Sequence, residues 1–138
     1  MDMRLMLPGM VAAMAWMPSL AAPPETSVET LLETDQTILG ESFAYPTGRA
    51  YITAARLTVP PGATVSLHQH PVPLFVYILQ GEIIVDYGSR GTRTYRKGDA
   101  FVEAFEWPHR ARNGGKGNVK LLAVYTGAEG VPNSMPLE

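Results

Sequence analysis

Two runs rich in β-branched and aromatic residues, Leu74 to Leu79 and Glu82 to Tyr87, stand on either side of Gln80-Gly81. Side chains of this kind favour extended backbone, and a two-residue connection containing glycine reads as a hairpin turn. The same punctuation recurs along the chain. Tyr51, Thr53, Ala55, Leu57 and Val59 alternate with Ile52, Ala54, Arg56 and Thr58, a period near two that predicts a strand. Pro60-Pro61-Gly62 breaks it, Ala63 to His70 resumes, and Pro71 and Pro73 interrupt again. Turns at Gly88 to Gly91, Lys97-Gly98-Asp99 and Asn113 to Gly117 leave further strands near Thr92 to Tyr95, Ala100 to Val102, His109 to Arg112 and Val119 to Thr126. About eight short strands at this spacing predict an all-β domain, a sandwich or small barrel. No amphipathic segment is long enough to supply the helix of a βαβ unit.

The N-terminus differs from everything after it. Residues 1 to 21 hold six of the seven methionines, and a nearly uncharged apolar run extends from Leu5 to Met17. Arg4 precedes that run, and Ser19 and Ala21 put small residues where a signal peptidase needs them, so a cleavable signal peptide ending at Ala21 is expected. An uncleaved anchor and a buried helix are the alternatives, but the run is short for a bilayer and contains Pro8 and Gly9. The destination is periplasmic or secreted, with no other membrane association. Residues 22–48 read as an arm, with one helical turn as an option, residues 49–127 as the barrel core, and residues 128–138 as a surface or disordered tail.

With 138 residues the chain is sized for one domain. A net charge of -2 offers no basic field for a phosphate backbone, which argues against nucleic acid as a partner. There is no cysteine, which excludes disulfides, thiolate nucleophiles and Cys-ligated metals. Any metal chemistry must use histidine and carboxylates.

The chain has three histidines, His68, His70 and His109. His68 and His70 sit at i and i+2, so on a regular strand they project to one face, close enough to reach one ion. The same alternation sends Val65 and Leu67 to the opposite, apolar face, which the N-terminal arm, a second sheet or a second subunit must cover. A homodimer is therefore one of the expected arrangements. A chance pair on a polar strand face is the plainer reading of His-x-His alone.

The surrounding residues resemble the cupin superfamily. Its first motif, G-x5-H-x-H-x3,4-E-x6-G, is matched by Gly62, His68, His70 and Gly81, and its second, G-x5-P-x-G-x2-H-x3-N, by Gly98, His109 and Asn113. Three positions depart: the motif glutamate is Leu74, the proline is Ala104 and the second glycine is Glu106. The resemblance spans roughly residues 50–126 and implies a cupin-like β-barrel or jelly roll in which His68, His70 and His109 bind one divalent metal ion. Leu74 cannot coordinate, so the site is a three-histidine one unless another carboxylate enters. Glu103 is the nearest candidate, with a solvated or dimer-contact role as its alternative.

Imidazole nitrogens suit iron, zinc, nickel or copper better than magnesium or calcium. Three protein ligands leave positions open, as catalytic sites do. Phe75, Tyr77, Phe101 and Trp107, with Glu103, are the candidate lining of a substrate pocket, and only Tyr77 among these aromatics carries a hydroxyl. Tyr77 falls on the face of Phe75 and Leu79, opposite Leu74. The expected function is a small periplasmic cupin acting as a metal-dependent oxygenase or related enzyme on a small organic substrate. The alternative is a non-catalytic cupin that binds a metal or a small molecule such as a sugar or organic acid. A purely structural domain ranks last, since it leaves buried histidines without partners.

Overall fold

The computed structural model describes residues 22–138; the expected signal peptide lies outside the described residues. From Ala50 onward nearly every segment is a strand: β1 (Ala50–Val59), β2 (Thr64–Gln69), β3 (Leu74–Gln80), β4 (Glu82–Asp86), β5 (Thr92–Arg96), β6 (Ala100–Val102), β7 (His109–Asn113), β8 (Val119–Ala128) and β9 (Met135–Pro136). They form two antiparallel sheets, ordered β1-β8-β3-β6 and β5-β4-β7-β2-β9. Among the described residues there is no α-helix, and the N-terminal arm has no helical turn.

Period-two alternation explains how the sheets meet. Leu74, Val76 and Ile78 of β3 and Val119, Leu121 and Ala123 of β8 are buried on one side, Ile83, Val85 and Ala111 on the other, and together they make one core. The outward positions of β7 are Arg110 and Arg112, and Arg110 Nε donates to Asp86 Oδ2 at 3.0 Å. Asn113 ends β7 by tying three segments together. Its Nδ2 donates to Val59 O at 2.8 Å and Gly117 O at 2.7 Å, and its Oδ1 accepts from Gly115 N at 2.7 Å.

Three expectations are corrected. The Gln80-Gly81 connection is not a hairpin, because β3 and β4 belong to different sheets and the chain crosses between them there. Gly81 has φ 81° and passes so close to the start of β8 that a Cβ would stand 2.8 Å from Asn118 O. The tail is not simply surface: β9 pairs with β2 through His68 and Gln69, and Leu137 N donates to Leu67 O at 3.1 Å. Nor do Val65 and Leu67 face away from the histidines. Between the pairs Val65↔Ala111 and His68↔His109, β2 advances three residues against two on β7. That β-bulge shifts the alternation and turns Val65 into the core beside His68.

The arm docks on the barrel at several points. Gln36 bridges Ser42, Ile38 N donates to Val102 O at 2.8 Å, and Ile38 and Leu39 pack against the core.

Candidate metal centre

The bulge and the β2–β7 register bring the histidines together. His68 stands opposite His109 across the β2–β7 pair, and His70, just past the end of β2, bridges to Phe105. One ring nitrogen from each of the three can be chosen so that all lie within 4.8 Å of one another. His70 and His109 are buried at 3% and 2% exposure, and His68 is half-buried.

Backbone carbonyls fix which nitrogen that is. His68 Nδ1 lies 2.7 Å from Ser66 O, His70 Nδ1 2.8 Å from Asn133 O, and His109 Nδ1 2.9 Å from Trp107 O. A carbonyl only accepts, so each Nδ1 carries a proton and donates it, and in the neutral ring the lone pair is then on Nε2. Carbonyl partners of this kind orient metal-binding imidazoles. Burial pushes the His70 pKa down to about 4, against the raising effect of the Asn133 carbonyl, with His109 and His68 adding to the fall. Burial also lowers His68, opposed by its bond to Ser66. Both imidazoles are thus neutral at pH 7, the form that binds a metal, and the donor set fits a divalent transition-metal ion.

The three histidines open into a cavity of ≈ 410 Å³ between the sheets. Leu74 lines it, so an alkyl group occupies the motif's carboxylate position. Phe101 also lines it, stacked on Tyr95 with ring centroids 3.9 Å apart. Glu103 enters the same cavity from the end of β6 at 6% exposure, neither solvated nor exposed for a subunit contact. Its Oε1 accepts from Tyr87 Oη and from Ala104 N, each at 2.7 Å, and its Oε2 stands 3.9 Å from His109 Nε2. Because Tyr87 donates to Glu103, the 3.0 Å contact between Tyr95 and Tyr87 has Tyr95 as donor. Burial pushes the pKa of both phenols well above the ordinary range.

The other expected pocket residues lie elsewhere. Phe75 and Tyr77 are on the opposite face of β3 from Leu74 and Val76, and Phe75 instead borders a shallow groove with Leu32, Phe43 and Tyr45 of the arm. Trp107 lies outside the cavity lining: its Nε1 donates to Tyr87 O at 2.9 Å, and the Arg90 guanidinium sits 4.9 Å from its ring centroid. Its part is to present the carbonyl that holds His109. The residues not foreseen are Tyr87, Tyr95, Tyr125 and the Asn133 carbonyl. Tyr125 lines the cavity beside His70, with ring centroids 5.6 Å apart. A backbone acceptor such as that of Asn133 leaves no mark in a sequence.

Two antiparallel sheets closed around a three-histidine cavity define a small jelly-roll protein with a candidate metal site. The cupin domain family matches residues 55–125, and the chain belongs to that family. No curated protein matches the chain. Among solved structures it is similar to the oxalate decarboxylase of Lactobacillus farciminis in its formate complex, with 26% identity, a TM-score of 0.55 and coverage of 62% of this chain and 26% of that one. The Bacillus subtilis oxalate decarboxylase at pH 4.6 is similar at 27% identity and a TM-score of 0.51, over 62% of this chain and 23% of that one. Another structure of the Bacillus subtilis enzyme, from work on its Mn(II) centres, shares the fold at 24% identity and a TM-score of 0.51, over 74% and 30% of the two chains. The chain thus spans about a quarter of the length of the first two structures.

Proposed function

We propose that this cupin holds one divalent transition-metal ion, iron, zinc, nickel or copper, on His68, His70 and His109, and that it acts as a metal-dependent oxygenase or related enzyme on a small organic molecule. The observation that carries the reading is the convergence of three imidazoles on one cavity, with a ring nitrogen from each within 4.8 Å of the others and a carbonyl behind each ring. Such an ion supplies Lewis acidity, or redox chemistry where it is iron or copper, and three protein ligands leave positions open for substrate. The chain's own contribution is to keep His68 and His70 neutral, to aim all three imidazoles, and to enclose the reactant between apolar walls.

Elemental analysis of the natively purified protein, with His68→Ala, His70→Ala and His109→Ala beside it, tests the coordination. Near one equivalent of metal in the parent and loss in each variant is expected; a metal-free parent that chelator does not destabilise overturns the reading. Oxygen uptake or substrate loss across phenols, thiols, amino acids and sugar acids then separates turnover from binding. The alternative, a cupin that binds a metal or small molecule without turnover, is favoured by Leu74 in the carboxylate position. Export to the periplasm or out of the cell, read from residues 1–21, and a homodimer, supported by the exposed apolar side chains of the edge strand β1, complete the proposal.

A further inference from the structure

The cavity is unusual in the distribution of its charge. Its walls are aliphatic, with Leu74, Val76 and Leu121 from one sheet and Val65, Ile83 and Val85 from the other. Among its lining residues the acidic side chain is Glu103 and the cationic one is Arg56, which is exposed on β1 and therefore screened by water. Glu103 Oε1 already accepts two hydrogen bonds, whereas no donor among the described residues is bonded to Oε2, on the side of His109. A carboxylate oxygen open to the cavity and unpaired there is a strong acceptor for any donor that enters, and it repels a second carboxylate brought into the same space.

We propose that this cavity selects an uncharged, mainly apolar molecule carrying a hydroxyl hydrogen, such as an alkylphenol, with Glu103 Oε2 as the acceptor, and that it turns away small dicarboxylates. The aliphatic walls bury the body of the molecule, and Glu103 reads its hydroxyl. A dicarboxylate would place one carboxylate near the histidines and the other either beside Glu103 or against alkyl groups, with no buried cationic side chain among the described lining residues to meet it. The inference rests on the three-histidine reading for the position of the reacting centre, and its own evidence is Glu103 and the walls.

Glu103→Gln isolates the claim. The amide oxygen can still accept from Tyr87 and Ala104, while its nitrogen replaces Oε2 and turns an acceptor into a donor. Binding of 4-ethylphenol, 4-ethylanisole and succinate to the zinc-loaded and zinc-free full chain is measured by calorimetry, with zinc content determined on each sample. The parent is expected to bind 4-ethylphenol at least 10-fold more tightly than 4-ethylanisole, which lacks the hydroxyl hydrogen, and to bind succinate weakest. In the variant the advantage of the phenol collapses and succinate binding strengthens. A parent that prefers succinate, or treats phenol and anisole alike, overturns the inference, as does a folded variant with unchanged ratios. If the variant does not fold, the order in the parent decides. Failure to retain zinc overturns the three-histidine reading instead, and the phenol-to-anisole ratio of the zinc-free chain still reports on Glu103.

Discussion

Tyr87 donates its hydroxyl hydrogen to Glu103 Oε1 across 2.7 Å, with Tyr87 at 0% and Glu103 at 6% exposure. The pair belongs to a chain that starts at Tyr95 and ends at the cavity wall, and it holds the carboxyl plane so that Oε2 faces the histidines. Tyr87→Phe keeps the ring and removes the link, leaving the Tyr95 hydroxyl without its acceptor and Oε1 with one donor. A loss of about 1–3 kcal/mol is expected, the usual cost of an unsatisfied buried polar group. Urea denaturation measures it, and an unchanged midpoint would show that the chain contributes nothing.

The metal-free protein should be acid-sensitive in a defined window. The pKa of His70 falls to about 4 in the folded protein, from an ordinary 6.5. Between those values the unfolded chain binds the proton and the folded one does not, so stability falls as pH drops from 6.5 towards 4 and is complete above 6.5. The full shift corresponds to about 3 kcal/mol. His68, lowered in the same direction, adds to the slope. Melting curves of the metal-free parent and of His70→Gln across this range check it: the parent should lose more than the variant, and parallel curves would refute the assignment.

The limits of reading this fold from its sequence follow from the same residues. Strands β1 to β8 are visible because alternation and glycine–proline punctuation are local properties. The histidine cluster is visible because His-x-His and the spacing to His109 reflect positions on paired strands. What escapes is non-local. A glycine at positive φ serves a hairpin and a sheet-to-sheet crossing equally well, and only the approach of Asn118 to Gly81 distinguishes them. The bulge before His68 depends on its pairing with β7, and the role of Glu103 depends on Tyr87, sixteen residues earlier and on the other side of the core.

Glu106 occupies the motif's second glycine position with φ 51°, the only non-glycine residue at positive φ among the described residues. It is exposed, and its N–H donates to His70 O at 2.9 Å. The left-handed region costs an ordinary residue about 1–2 kcal/mol, and a glycine gives back about 0.5–1 kcal/mol in lost chain entropy, so Glu106→Gly should stabilise by about 0.5–1 kcal/mol. Chemical denaturation reads the gain, and a destabilised variant would mean that the glutamate side chain makes a contribution of its own.

Strand β1 lies at the edge of its sheet, with Tyr51 61% and Ile52 68% exposed. A ten-residue edge carrying apolar side chains invites pairing with a second copy. Sedimentation of the parent should therefore give a dimer, and Ile52→Lys should shift it to monomer without changing the melting of the barrel core. A parent that remains monomeric at high concentration argues that this edge is simply tolerated.

The C-terminal segment should matter to the proposed metal centre more than its length suggests. Asn133 O is the acceptor that fixes the Nδ1 proton of His70, β9 pairs with β2 at His68, and Ser134 and Pro136 line the cavity. A chain ending at Gly130 loses all three while keeping every proposed ligand. His70 is then free to turn and to exchange its tautomer, so metal affinity should fall by about 10–100-fold, the range found when the partner of a ligating histidine is removed. Competition against a chelator of known affinity measures the fall. Far-ultraviolet circular dichroism on the same sample shows whether the sheets persist, and an intact truncated barrel with undiminished affinity would remove the tail from the account of the site.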